Sequence, residues 1–327
     1  MSNRTRSIAI VAALLALGAM PVSARAQTYP NRPITLVIPL PPGGTNDIMA
    51  RAVADKLSAA LGQQIVIENR AAGGSGTVGT RQVAKSAPDG YTLLLGYTST
   101  LATGPSMYRN VGYDPRKDFA PIGLIAIAPA LLLVHPSVQV RNVGELIAMM
   151  KAASPAFQVG TPGIGTVYYL ASVLFAQQAG VVVLQIPYKG SSPLITDLAG
   201  GHVKVGFNPI PVSRAALEGG LIRALAGTSL KRSTLFPDLP TVGESALPGF
   251  DAVLSYGLVA PAGTPQPIIE RLNKELRAAL ATDEVKKRLH QEGAEPTPTT
   301  PAEHAAMIDR EESKWSVLIK SIGLKPE

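Results

Sequence analysis

Short apolar runs alternate with helical periods along most of the chain. Ile34 to Ile38 is a β-branched apolar run, the composition a fully covered strand needs. Pro39, Pro41 and Pro42 end it, because proline has no N–H to give to a ladder. Gly43 and Gly44 follow, then Thr45, Asn46 and Asp47, all good helix N-caps. Ile48, Ala52, Val53, Leu57 and Leu61 repeat at helical spacing and stop at Gly62. Gln64 to Glu68 predicts a second strand. A short helix through Val83 and Ala84 ends before the turn Pro88-Asp89-Gly90, and Tyr91 to Leu95 predicts a third strand. This βαβαβ rhythm predicts a parallel sheet with helices on both faces.

The rhythm breaks near Ile122 to Pro129 and restarts with a strand over Ala130 to Val134. Asn142 caps a helix with Glu145 at its third position. Phe157 to Gly160 predicts a strand leading into Thr161-Pro162-Gly163-Ile164-Gly165-Thr166, followed by a helix over Val167 to Ala179. The same alternation then gives strands at Val181 to Ile186, His202 to Phe207 and Ile222 to Gly227, with helices at Pro193 to Ala199 and Val212 to Glu218. Phe250 to Val259 has the character of a return strand. Three amphipathic helices close the chain: Gln266 to Ala281, Asp283 to Gln291, and one opened by the capping box Thr300-Pro301-Ala302-Glu303. The last is expected to turn Ala305, Ile308, Trp315, Ile319 and Ile322 inward. Two α/β units with the second inserted in the first predict a discontinuous domain of residues 27–127 and 250–327, a second of 128–249, and a cleft between them. Open α/β sheets bind ligands beyond the carboxyl ends of their strands, where the loops rich in glycine and hydroxyl groups fall.

The first residues stand outside this pattern. Arg4 and Arg6 precede the apolar run Ile8 to Met20, and Ala24-Arg25-Ala26 is an A-x-A cleavage site, so residues 1–26 are expected to be a secretory signal peptide. The apolar core is too short to span a bilayer, and the mature chain is expected to be soluble and exported. Losing Arg4, Arg6 and Arg25 lowers the formal net charge from +7 to +4. That charge is diffuse, with a single Trp and no Lys/Arg run longer than Lys286-Lys287-Arg288, which argues against a nucleic-acid surface. The chain has no cysteine, so disulfides, thiolate nucleophiles and thiolate metal sites are excluded.

What chemistry the loops carry decides the function class. Strand, glycine turn and helix start at Pro39 to Asp47 present unpaired N–H groups to a small anion, or form an ordinary βα turn. Gly74-Ser75-Gly76-Thr77-Val78-Gly79 fits G-x-G-x-x-G after a strand. It lacks the acid a dinucleotide site needs, since Asp89 comes only ten residues past Gly79. An anion-cradling loop is the better reading, with a structural turn as the alternative. Thr98 and Ser99 open another donor-rich loop. His135, His202, His290 and His304 have no metal-ligand spacing and are expected at the surface or in loops. Glu311-Glu312 and Asp283-Glu284 are expected on solvated helix faces. No G-x-S-x-G elbow is present, and no nucleophile–base–orienter set emerges. The chemistry is that of binding, not of an enzyme, and no cofactor is expected. Tyr188-Lys189-Gly190 could bring a cation to the cleft or leave it solvated.

With these loops in order, the chain resembles the periplasmic solute-binding receptors of tripartite tricarboxylate transporters, the Bug receptors. The resemblance runs from Tyr29 to Leu324. It rests on Pro42-Gly43-Gly44-Thr45-Asn46-Asp47 with Ala50-Arg51, Glu68-Asn69-Arg70 with its glycine loop, and Pro88-Asp89-Gly90-Tyr91-Thr92-Leu93. Pro187-Tyr188-Lys189-Gly190, Asp197-Leu198-Ala199-Gly200-Gly201, Pro237-Asp238-Leu239-Pro240-Thr241 and Pro248-Gly249-Phe250 follow in the same order. It implies an α/β, type II periplasmic binding-protein fold with a hinged cleft and a small carboxylate held by backbone N–H groups and hydroxyls. It also implies a periplasmic, monomeric receptor with two integral-membrane transporter subunits as partners. The candidate ligand-binding residues are Pro42, Gly43, Gly44, Thr45 and Asp47, then Gly74, Ser75, Thr98 and Ser99. On the opposite jaw they are Gly163, Ile164, Gly165, Thr166, Tyr169, Tyr188 and Asn208.

Three places depart from the family pattern. Gly163-Ile164-Gly165-Thr166-Val167-Tyr168-Tyr169-Leu170 replaces a polar loop ending in His-Leu, Lys204 and Asn208 stand where Asp is usual, and Gly104-Pro105 replaces Asn-Pro. If Asn208 or Lys204 reaches the cleft, an ammonium is poorly matched and a plain carboxylate or dicarboxylate is favoured. The rival reading is a sensor subunit that binds the same ligand and signals through a membrane kinase. An exported hydrolase is more distant.

Overall fold

Burial of the first apolar run organises the structure. Ile34, Leu36, Val37 and Ile38 are wholly buried in β1 (Ile34–Ile38). β1 lies between β2 (Ile65–Asn69) and β3 (Thr92–Tyr97) and is parallel to both. The computed structural model describes residues 29–153 and 155–324. The signal peptide expected over residues 1–26 lies outside the described residues. Arg32 onward forms one compact unit.

Helix α1 (Thr45–Leu61) joins β1 to β2, and α2 (Thr77–Ala84) joins β2 to β3. β4 (Phe119–Val134) then departs from expectation, because it is one long strand where the sequence pattern suggested a break and a restart. Pro121 and Pro129 interrupt the pattern but not the strand. The register shifts next to Pro121 and again past Leu124, while Pro129 stays in register opposite Val253. β4 runs antiparallel to β9 (Val253–Pro261), which pairs β3 on its other side, also antiparallel. β1, β2 and β3 are thus parallel as the βαβαβ rhythm predicts, and the return strand β9 adds an antiparallel strand to them.

Past Pro129 the same strand serves a second set of partners. Ala130 to Val134 pairs antiparallel with β7 (Val205–Pro209) and β8 (Arg223–Gly227). β7 leads on to β5 (Phe157–Thr161) and β6 (Val183–Pro187), all parallel. The order β2-β1-β3-β9-β4-β7-β5-β6 makes one ten-stranded sheet, with β8 and β10 (Glu295–Pro296) paired off that path to β4. We call the strands on either side of the β4 crossing the first and second half-sheets.

Helices α3 (Val143–Ala152), α4 (Val167–Ala179), α5 (Ser191–Ala199) and α6 (Ile210–Glu218) cover the second half-sheet. Asn142 caps α3 as expected, its side chain accepting from Glu145 N. α7 (Gln266–Ala281), α8 (Asp283–Gln291) and α9 (Pro301–Ser321) follow β9. Thr300 and Glu303 form the predicted capping box of α9.

α9 ties the two half-sheets together. Ile308 packs in the cluster of Val37, Leu94 and Val259, while Trp315, Leu318 and Ile319 enter the cluster of Phe175, Phe207 and Phe250. The inward face of α9 is less apolar than its spacing suggested. Ile322 is exposed, and His304 and Glu311 are each 2% exposed. His304 is thus not a surface histidine, and Glu311 does not lie on a solvated face. The Glu311 carboxylate is tolerated inside because Lys314 Nζ donates to it at 2.7 Å and Trp315 Nε1 at 2.9 Å. Among the described residues no helix is long and apolar enough to cross a membrane.

Candidate functional site

Four loops leave the carboxyl ends of the strands, and each is shaped by a different device. The loop after β1 turns on Gly43, at φ +82°, and hands over to α1 at Gly44, the N-cap. Thr45, Asn46 and Asp47 therefore lie inside the first turn, and none caps with its side chain. Asp47 instead reaches back: Gly43 N donates to its Oδ2 at 3.1 Å, Arg51 Nε to Oδ2 at 2.8 Å and Asn69 Nδ2 to Oδ1 at 3.1 Å. Burial works against the charged form of Asp47. The bonds from Arg51, Gly43 and Asn69 outweigh it and hold the carboxyl below its ordinary pKa. Asn69 Nδ2 also donates to Leu40 O, so β2 and α1 jointly brace the turn. Thr45 Oγ1 donates to Glu292 Oε2 at 3.3 Å.

The second loop packs directly on the first. Gly76 is at φ +75°, and a Cβ there would collide with the Pro39 carbonyl. Gly79 passes so close to Arg70 that a Cβ would stand 2.7 Å from its carbonyl oxygen. Gly76 and Gly79 of the G-x-G-x-x-G match are thus needed for packing. Ser75, just before Gly76, holds a left-handed conformation, φ +48°, and it is the non-glycine residue with positive φ among those described. Two tyrosines impose it: Tyr97 OH donates to Ser75 O at 2.9 Å, and Ser75 Oγ shares a 2.9 Å bond with Tyr108 OH. Local strain of this kind persists only where neighbours over-determine it.

The third loop begins at the end of β3. Thr98 is turned inward, where its Oγ1 accepts from Ser255 N at 2.7 Å and bonds Ser255 Oγ at 3.0 Å. Ser99 starts a wide turn, Ser99–Thr103, with π-type bonding.

On the second half-sheet β5 ends at Thr161, and Gly163 (φ +152°) and Gly165 (φ +77°) frame Ile164. Thr166 caps α4, its Oγ1 accepting from Tyr169 N at 3.2 Å and donating to Gly163 O at 2.8 Å.

These loops meet. A cavity of about 190 Å³ is lined by Ser75, Ser99 and Thr103 from the first half-sheet and Ile164, Gly165 and Thr166 from the second, with Met107, Tyr108 and Leu324. The wall takes residues at or next to the starts of α2, of the Ser99 turn and of α4, where helix dipoles are positive, and no charged side chain is in the lining. Larger hollows exist, including one of about 490 Å³ beside Tyr108 to Arg116. They are open surface grooves, and the smaller cavity is the one built from loops of both half-sheets.

Of the candidate residues, Ser75, Ser99, Ile164, Gly165 and Thr166 thus come together. Pro42, Gly43, Gly44 and Thr45 lie on the first loop outside this lining, Asp47 braces that loop from within, and Gly74 and Gly163 neighbour the wall. Thr98 and Tyr169 are engaged in the bonds just described. Tyr188 gives its hydroxyl to Asp197 Oδ2 at 2.9 Å, and burial together with that bond pushes its pKa up to about 12. Asn208 is wholly buried, with Nδ2 donating to Ser213 Oγ at 3.2 Å. Lys189 is exposed, and Lys204 is exposed at the opposite end of β7 from Asn208.

Thr103, Met107, Tyr108 and Leu324 carried no sequence signal for the site. Buried atoms without a protein partner add a further signature: Asn46 Nδ2, Thr161 Oγ1 and Asn208 Oδ1. They sit in the first turn of α1 and at the ends of β5 and β7, the positions a bound ligand or ordered water would satisfy. Among the described residues no group of His, Cys, Asp and Glu could hold a metal ion.

Comparison with known proteins identifies the family of the chain. The sequence profile described as "Tripartite tricarboxylate transporter family receptor" matches residues 49–324. Protein BugT of Bordetella pertussis is 36% identical over 324 residues, 99% of each chain. R. palustris Rpa4515, solved with adipate, is 37% identical with a TM-score of 0.72, over 91% of this chain and 100% of that one. MatC (Rpa3494) from Rhodopseudomonas palustris, solved with bound malate, is 32% identical with a TM-score of 0.68, over 89% and 100%.

Proposed function

The chain belongs to the receptor family of tripartite tricarboxylate transporters, a family of solute-binding proteins and not of enzymes, and on that premise we propose that it captures a small carboxylate between its two half-sheets and passes it to a membrane transporter. The observation that carries this reading is the cavity where donor-rich loops of both half-sheets converge without a cation. A carboxylate leaves water at tolerable cost only when its oxygens accept hydrogen bonds. Hydroxyls and helix-start N–H groups supply them without a salt bridge. The adipate and malate carried by Rpa4515 and MatC point to the same ligand chemistry.

In this reading residues 27–127 with 250–327 form one lobe and 128–249 the other, and closure follows from the ligand's preference for the closed state. The loop at Gly43 to Asp47 flanks the entrance, with Gly163 to Thr166 opposite. The receptor acts as a monomer in the periplasm after cleavage near Ala26, and two integral-membrane subunits receive its ligand.

Thermal denaturation against a panel of small mono- and dicarboxylates tests this. A true ligand at about a hundredfold excess over its Kd adds about 2.7 kcal/mol of stability, a clear rise in Tm. Stabilisation by sugars or amines with none by any carboxylate would overturn the reading.

A further inference from the structure

The cavity lining is of two chemical kinds. Ser75, Ser99, Thr103, Tyr108 and Thr166 carry hydroxyls, of which that of Thr166 already donates to Gly163 O. Met107, Ile164 and Leu324 are apolar, and no charged or amide side chain takes part. Met107 and Leu324 are the fringe of the core around Phe175 and Phe207. Ile164 stands clear of it, 59% exposed. The glycines on either side, both at positive φ, present it at the tip of the turn. Gly165 lies against Met107, where a Cβ would stand 2.5 Å from the Met107 methyl carbon, so the two half-sheets touch where these two lining residues meet.

A ligand in this cavity meets both kinds of lining. Its carboxylate is served by the hydroxyls and helix starts. Its remainder meets methyl and thioether groups that can neither donate nor accept strongly. A second carboxylate, an ammonium or a hydroxyl set against those groups would be stripped of water without a partner, which disfavours it by roughly tenfold or more. A methylene placed there gains about fourfold in affinity.

We propose that this receptor selects monocarboxylates with an uncharged apolar body, short-chain aliphatic or aromatic, over hydroxylated and polycarboxylated acids, and that Ile164 and Met107 are the residues that discriminate. The inference rests on the carboxylate-receptor reading and goes beyond it by naming which carboxylates.

Isothermal titration of the purified protein with acetate, butyrate, hexanoate and benzoate, and with malate and citrate, decides it. Affinity is expected to climb about fourfold per methylene along the aliphatic series until the cavity is filled, with malate and citrate at least tenfold weaker than hexanoate. Ile164→Asn should flatten the series and narrow the gap to malate. The exposed position of Ile164 leaves the fold of that variant intact, which an unchanged Tm without ligand verifies. A flat series in the wild-type protein, tighter binding of malate or citrate than of hexanoate, or an unchanged preference in Ile164→Asn would overturn the selectivity while leaving the receptor reading in place. Binding of no carboxylate at all is a different failure, because it removes the receptor reading itself.

Discussion

His304 shows at the level of one residue how burial alone sets a chemical property. Its ring rests on Gly257 of β9, so close that a Cβ there would stand 2.7 Å from Nε2, and Nδ1 has no hydrogen-bond partner. Burial disfavours the imidazolium and lowers the pKa to about 3, against 6.5 for the free side chain. The unfolded chain therefore takes up the proton first as the pH falls. The stability that neutral His304 permits is complete above pH 6.5 and drains away between 6.5 and about 3, by roughly 1.4 kcal/mol per pH unit. Between pH 7 and pH 5 this one group is expected to cost about 2 kcal/mol. In His304→Gln, which cannot titrate, urea unfolding should show a much shallower decline over that interval. An identical decline would mean that other groups govern the acid limb. Periodicity placed His304 on the correct helix but missed its burial. Apolar spacing marks where a helix turns inward, and it is silent about a polar side chain carried in among the apolar ones.

At the level of elements, the turn from β1 into α1 was legible in outline and opaque in detail. The apolar run, the prolines and the glycine pair marked strand, stop and turn. The cap fell on Gly44, after Gly43 at positive φ, and Asp47, three residues on, braces the turn by accepting from Gly43 N and does not cap the helix. Asp47→Ala should remove the acceptor for Gly43 N, Arg51 Nε and Asn69 Nδ2 together, at a cost of about 1–3 kcal/mol measured as a lower urea midpoint. A loss within a few tenths of a kcal/mol would show that solvent replaces those bonds and that the carboxylate does not brace the turn. The site itself divides along the same line. Ser75, Ser99 and Ile164 to Thr166 could be found because glycine- and hydroxyl-rich loops at strand ends have a sequence signature. Met107, Tyr108 and Leu324 could not, because they reach the cavity through packing between segments distant in sequence. β4 was hidden for another reason: its prolines imitate a strand end, and only the partner strands reveal that the ladder continues through bulges.

On the scale of the whole molecule, the two half-sheets are joined where β4 crosses from one to the other and the chain returns toward β9. Thr228 stands at that junction, wholly buried, and binds both crossings at once. Its N–H donates to Ala130 O at 3.0 Å, and its carbonyl accepts from Ala252 N at 2.9 Å. Its hydroxyl accepts from Ala130 N at 2.8 Å and donates to Ala252 O at 2.7 Å. One side chain thus satisfies a backbone donor on the outgoing strand and a backbone acceptor on the returning one, in a place no sequence pattern distinguishes from any other threonine. Thr228→Val keeps the shape and removes both bonds, which leaves two buried backbone groups unpaired at a combined cost of about 2–4 kcal/mol. Trp315 is the single tryptophan and lies in the core of the second half-sheet, so its fluorescence reports that half while circular dichroism reports the whole chain. In the wild-type protein the two probes should follow one urea transition. In Thr228→Val the midpoint should fall and the two transitions should separate, since the bonds that make the half-sheets unfold together are the ones removed. A variant as stable as the wild type, with coincident transitions, would shift the coupling from this junction to the packing of α9, which reaches into both cores.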